Sequence, residues 1–563
     1  MSYADALFLG GLVFTGGAAS RTDGVAVRGG RIVAIGEQDA RNLRGPRTEV
    51  VDLRGRLLIP GFQDAHVHPI QGGLEMAACD LSEASSAGEY LSLIGAYADA
   101  HPDTEWITGG GWSIPAFPGG LPTAAALDAV VPDRPVYLPN ADHHGAWVNS
   151  QAMARAGITA ETPDPPDGRI ERDERGGPTG MLQEGAADMV ARLLPPPTRG
   201  QAREALLRAQ ALLHSFGITA WQDACVGAGL GLADPLPVYL AAAEGGELTA
   251  RVRGALWWRR SRGLEQLDDL LDRRARGEVG RFRATTVKMM LDGIAENHTA
   301  AMLAPYLDGC GSAGCGHGDP AHVLPTSGLS FIDPDALKEY VTALDGAGFQ
   351  VHFHALGDRA VREALDALAA ARTANGSAAR TARGAASRRH HLAHLQVVHP
   401  DDVPRFGELG AGANMQPLWA AHEPQMDELT IPFLGRQRAA WQYPFGDLLA
   451  AGARLVAGSD WPVTSANPIL GVHVAVNRTL PGSDREAFLP EQRLDLAAAL
   501  AAYTQGSAWA NGLDDTGTIR AGALADLAVL DRDPFEGSPL DVAATRVLQT
   551  IVEGERVYAA PDA

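Results

Sequence analysis

The stretch LIPGFQDAHVH (residues 58–68) is an apolar run that ends on two histidines one residue apart. In an extended strand, side chains i and i+2 lie on one face. His66 and His68 therefore point together at the strand's C-terminal end. Seven later runs have the same short, apolar, strand-like character: 217–224, 250–258, 284–293, 349–358, 390–396, 410–417 and 453–462. Ala/Leu-rich helical patterns alternate with them. This βα alternation predicts a parallel α/β architecture, and eight such strands match a (β/α)8 TIM-like barrel. Two further strand-like runs, 105–112 and 134–144, are assigned to a large insertion at about residues 75–210, between the first and second barrel strands.

The two chain ends resemble each other. DGVAVRGGRIVAIGE near the start and ADLAVLDRDP and VLQTIVEGERVYAA near the end alternate apolar residues around turn signals. Residues 1–57 and 512–563 are expected to form one small composite β-sandwich, with 58–511 as the catalytic barrel.

Other predicted strand ends also carry metal-ligand types. His352 and His354 end the fifth strand, His394 the sixth and Asp460 the eighth, and Lys288 lies on the fourth. Barrel active sites sit at the C-terminal ends of the strands, so these residues converge on one mouth. Imidazoles with a carboxylate suit Zn²⁺, and also Co, Ni, Fe or Mn. Lys288 stands out by composition. The chain has two lysines, Lys288 and Lys338, among 47 basic residues, and the rest are arginine. Lysine can lose its proton and act as an amine, which arginine does not do.

Composition narrows the class. The chain has 563 residues, 45% hydrophobic and 20% charged, with a net charge of −21. Phosphate binding needs a basic face, so nucleic acid is not an expected partner. No apolar run reaches the ~18 residues that span a bilayer, and no membrane partner is expected. Four cysteines in this length form no disulfide framework, which fits a reducing cytoplasm. A homo-oligomer is compatible with the sequence.

Taken in order, G-F-x-D-x-H-x-H-P (61–69), V-K-x-x-x-D-G (287–293), H-A-x-G-D (354–358), His394 and G-S-D-x-P (458–462) resemble the amidohydrolase superfamily. D-H-H-G-A-W-V-N-S (142–150), G-P-T-G-M-L-Q-E-G-A (177–186), G-I-T-A-W-Q-D (217–223) and P-Y-L-D (305–308) are similar to its amidohydrolase-3, or YtcJ-like, branch, which includes N-substituted formamide deformylase. The resemblance implies a binuclear centre. His66, His68 and Asp460 would hold one ion, His354 and His394 the other, and Lys288, carboxylated by CO₂, would bridge them. Zinc is the expected metal, at one or two ions per chain.

It further implies a hydrolase of a small-molecule amide C–N bond, including an N-substituted formamide. A metal-activated hydroxide would attack, and Asp460 would serve as general acid and base. His144 is the candidate donor to the carbonyl or oxyanion. Cyclic amide, carbamate or ester hydrolysis in the same centre is an alternative, as is a mononuclear deaminase. His352 is read as a supporting residue. Trp112 and Trp461 are expected to line the substrate pocket, with Trp147 and Trp419 as further candidates. Cys310, Cys315, His317 and Asp319 crowd a Gly-rich loop that offers ligand types without a matching second half.

Overall fold

The structure, a computed structural model, describes residues 3–17, 21–229, 233–309, 323–376 and 388–561. The Cys310/Cys315/His317/Asp319 cluster lies outside the described residues.

Eight parallel strands form the barrel: Phe62–Val67, Ile218–Val226, Arg251–Trp257, Phe282–Met290, Gln350–Ala355, His391–His394, Gly412–Met415 and Arg454–Ala457. Each pairs with its neighbour in sequence. These are the eight runs expected from the sequence. They read as near-continuous apolar segments because both of their faces are covered, as in any barrel wrapped by helices. The helices show the complementary pattern. In Asp358–Asn375 the buried residues include Val361, Ala364, Leu365 and Leu368, one stripe at helical spacing. Pro334–Gly346 starts on Asp333, whose side chain accepts from the backbone of Asp335 and Ala336, with Pro334 at the first helical position.

The eighth strand meets the first at the top of the barrel. The Asp460 backbone N–H donates to the His66 carbonyl at 2.8 Å, and the His68 N–H donates to the Trp461 carbonyl at 2.9 Å. Gly458 permits this approach. A Cβ there would lie 2.7 Å from the His66 nitrogen. The closure sets Asp460 between the two histidines of the first strand.

The chain ends share one eight-stranded sheet. Leu57–Pro60 pairs with Leu527–Leu530 in that sheet, and the chain enters the barrel at Phe62. Val13, Val25, Val27, Ile32, Leu527 and Val529 lie in its core.

Residues between the first two barrel strands build a separate six-stranded sheet that runs from Cys79–Asp80 to Gly168–Arg172. Its core contains Trp112, Leu138 and Trp147 and is continuous with Ile294, Leu356 and Val397, which follow barrel strands. The insertion therefore sits against the barrel mouth. Among the described residues, no helix is long and apolar enough to cross a membrane.

Candidate metal centre at the barrel mouth

His66 Nε2 and His68 Nε2 each lie 3.2 Å from Asp460 Oδ1, and His394 Nδ1 lies 3.8 Å from Asp460 Oδ2. Ligand atoms of His66, His394 and Asp460 all fall within 4.8 Å of one another, and all three residues are buried.

A hydrogen-bond chain fixes the His66 tautomer. Gln222 Oε1 accepts from His352 Nδ1 at 2.7 Å. His352 Nε2 then accepts from His66 Nδ1 at 2.9 Å. Burial, with Lys288 beside it, pulls the His66 pKa down to about 3, so the ring is neutral and its one proton is on Nδ1. Its Nε2 lone pair therefore faces a carboxylate oxygen at 3.2 Å. Two electron-pair donors at that distance call for a cation. Both ring nitrogens of His394, His68 Nδ1 and Asp460 Oδ1 are buried without a hydrogen-bond partner, and such orphans are costly in a native interior. The donor set thus fits a divalent transition metal.

Two ligand candidates have left-handed backbones, His394 with φ 83° and Asp460 with φ 57°. Such strain costs about 1–3 kcal/mol per residue and concentrates at functional sites.

Lys288 lines the same small cavity as His66, His68, His354, His394 and Asp460. Its Nζ is 3.5 Å from His352 Nε2. Burial lowers its pKa to about 7, against the opposing pull of Asp460. A fraction of Lys288 is therefore a free amine at neutral pH. His354 stands further from the carboxylate. Its Nε2 lies 3.4 Å from the Gly293 carbonyl and 3.8 Å from Asp292 Oδ1, and its ring centroid is 4.5 Å from that of His394.

His144 arrives from the insertion. Its Nδ1 is 2.9 Å from Glu184 Oε1, and Thr299 Oγ1 donates to the same oxygen at 2.8 Å. Burial opposes its charge, but Glu184, Asp142 and Asp460 outweigh burial and push its pKa up to about 9. His144 is therefore a cation at neutral pH with Nε2 left to donate. It lines both the metal cavity and an adjoining cavity of about 200 Å³.

The structure sets both Trp112 and Trp461 away from the 200 Å³ cavity. Trp112 is fully buried, donates to the Leu138 carbonyl and packs edge-on against Phe117 and Trp147. It is core of the insertion. Trp461 turns its ring onto Gly72, where a Cβ would lie 2.4 Å from the indole. Neither lines the 200 Å³ cavity. Trp419 does, and it stacks on His394 with centroids 5.3 Å apart and planes 17° from parallel. A residue's position near a strand end does not say which way an indole turns.

Several residues of the site had no role assigned from sequence. Gln222 lies in ITAWQDACV, a strand buried at every position, and polar Gln-Asp inside such a run was the available signal. Glu184 lies in the G-P-T-G-M-L-Q-E-G-A motif, which carried no role for it, and Glu296 and Glu423 gave no signal.

The model of the amidohydrolase family matches residues 49–558. The chain belongs to that family, and so to the metal-dependent amidohydrolase superfamily hydrolases. It is 32% identical to Protein LONG AFTER FAR-RED 3 of Arabidopsis thaliana, over 99% of this chain and 92% of that one. It is 28% identical to N-substituted formamide deformylase of Arthrobacter pascens, over 95% of this chain and 94% of that one. A solved structure of an uncharacterized metal-dependent hydrolase from Pyrococcus horikoshii OT3 superposes with a TM-score of 0.70 at 25% identity, covering 95% of this chain and 99% of that one.

Proposed function

We propose that this hydrolase cleaves the C–N bond of a small amide, N-substituted formamides included. The observation that carries the reading is the meeting of His66, His68 and His394 on the Asp460 carboxylate, with His68 Nδ1 and both ring nitrogens of His394 buried and unpaired. The similarity to a formamide deformylase along nearly the whole chain supports the choice of bond.

His66, His68, His394 and Asp460 would hold the first ion. His354 and a carboxylated Lys288 would complete a second position, and zinc is the metal we expect. A divalent ion there polarises a carbonyl and lowers the pKa of water to about 7. The remaining work falls to the chain. Asp460 takes a proton from water and returns it to the departing nitrogen. His144, held protonated by Glu184, donates from Nε2 to the carbonyl oxygen as charge develops on it. Gln222 and His352 keep the His66 lone pair turned into the site.

One observation favours a second reading, a single-ion centre of the deaminase type. Among the described residues only His66, His394 and Asp460 draw within 4.8 Å of one another, and His354 stands apart. Metal content per chain separates the two. About two equivalents, with turnover of an N-formyl amine, is the expected result. One equivalent, with ammonia release from an aminoheterocycle and no amide hydrolysis, overturns the amide reading.

A further inference from the structure

The 200 Å³ cavity beside the centre has an uneven wall. On the centre's side are His144, His354, His394 and Asp460. Elsewhere it is lined by Glu296, Gln396, Glu423 and Tyr443, with Trp419 and Met426 as apolar surface. None of its lining residues is Arg or Lys.

The acceptors on this wall are unequally satisfied. Thr430 Oγ1 donates to Glu296 Oε1 at 2.6 Å, and Gln396 Nε2 donates to the same oxygen at 3.2 Å. That bond fixes the Gln396 amide and leaves its Oε1 as an acceptor. Gln396 is 1% exposed, and this Oε1 has no partner. Asp142 Oδ2, also on the cavity, is a second buried acceptor without one. The Glu423 carboxylate has no hydrogen-bond donor among the described residues. Burial and repulsion from Glu296 and Asp427 push its pKa up to about 7. Arg485, whose charge opposes that rise, is engaged with Asp427.

We propose that this wall binds a cationic nitrogen group of the substrate, an ammonium, amidinium or guanidinium, through Glu423, Glu296 and Gln396 Oε1. The proposal rests on the amide-hydrolase reading and narrows it to amides that carry a second, positively charged nitrogen. A multi-donor cation supplies what the wall lacks. It gives Gln396 Oε1 a hydrogen bond, cancels the repulsion between the two glutamates and makes charge-assisted bonds with them. A neutral alkyl chain would leave buried acceptors unsatisfied, which costs binding. At about 200 Å³ the cavity is smaller than the roughly 300–1,000 Å³ pockets that take drug-sized ligands, so it suits a substrate of few heavy atoms.

The test separates binding from turnover. The zinc-loaded chain is titrated calorimetrically with n-propylguanidine and with its neutral isostere n-propylurea. The guanidine should bind at least about tenfold tighter. In Glu423→Gln, checked for unchanged zinc content and unfolding temperature, that preference should shrink to within about threefold. Equal binding of the two compounds by the wild type overturns the proposal, and that arm needs no variant. So does a preference unchanged in Glu423→Gln. In parallel, mono-N-formyl-1,3-diaminopropane is compared with N-formylbutylamine for hydrolysis. Failure of both as substrates counts against the amide reading. A lack of preference between two hydrolysed substrates counts against the cation site.

Discussion

The floor of the site and its wall are built differently. The floor comes from barrel strand ends. His66, His68, His394 and Asp460 are placed by strand periodicity and by the closure of the eighth strand on the first. Each floor position follows from a backbone ladder. The wall comes from the insertion and from loops after the barrel strands. His144 depends on Glu184, 40 residues away, and Glu184 on Thr299, 115 residues further. Ladders place residues to within a register shift, whereas such side-chain pairs are set by how whole segments dock. The floor should therefore decide whether chemistry occurs, and the wall which substrate is used and at what pH.

The strongest way to break that division is at the floor. In the proposed mechanism Asp460→Asn removes the proton acceptor and a charged ligand, so kcat should fall on the order of 10³-fold or more. Steady-state kinetics with metal analysis would check this. A variant with full kcat would show that Asp460 is not the acid–base group.

Lys288→Arg keeps the positive charge of an unmodified lysine but cannot form the anionic carbamate. It should lower metal content from about two ions to one and reduce kcat by about 10²-fold. Full activity with unchanged metal content would remove Lys288 from the centre.

On the wall, Glu184→Gln should release His144 toward the ordinary imidazole range. In the wild type His144 remains protonated up to about pH 9. The alkaline limb of kcat/KM should thus move down by roughly two pH units in the variant. The sign for stability follows from the same shift. A pKa raised from 6.5 to about 9 stabilises the fold fully below pH 6.5, and that contribution is lost as pH rises to 9. Glu184→Gln should flatten that dependence in denaturant titrations. An unmoved limb would show that His144 is not the donor.

The smallest expected effect sharpens the comparison at its boundary. Gln222→Leu should weaken metal affinity by about 10- to 100-fold, because it unlocks the His352–His66 tautomer chain. Competition with a chelator measures this, while kcat at saturating metal should change little.

The sequence carried the floor because its signals are local. The His-x-His pair, the strand-terminal His394 and Asp460, and the excess of arginine that isolates Lys288 need only periodicity and composition. The eight apolar runs likewise became the eight strands. The support beneath the floor was half visible. His352 shares a face with His354 and invites a rival reading. Only the 2.9 Å contact to His66 and the 2.7 Å contact to Gln222 show that it holds the His66 ring. The aromatic wall was not legible. Trp112, Trp461 and Trp419 look alike along the chain, yet one fills the insertion core, one rests on Gly72, and one stacks on His394.

By itself, then, the sequence determined the barrel, its parallel order and the strand ends that carry histidine and aspartate, because strand periodicity and burial are properties of neighbouring residues. The tertiary structure alone decided the His66 tautomer, the charge on His144, the choice among tryptophans and the acidic wall of the cavity. Each of these depends on groups far apart in the chain that share a desolvated space, where a single partner sets which proton is kept and which side chain faces the substrate.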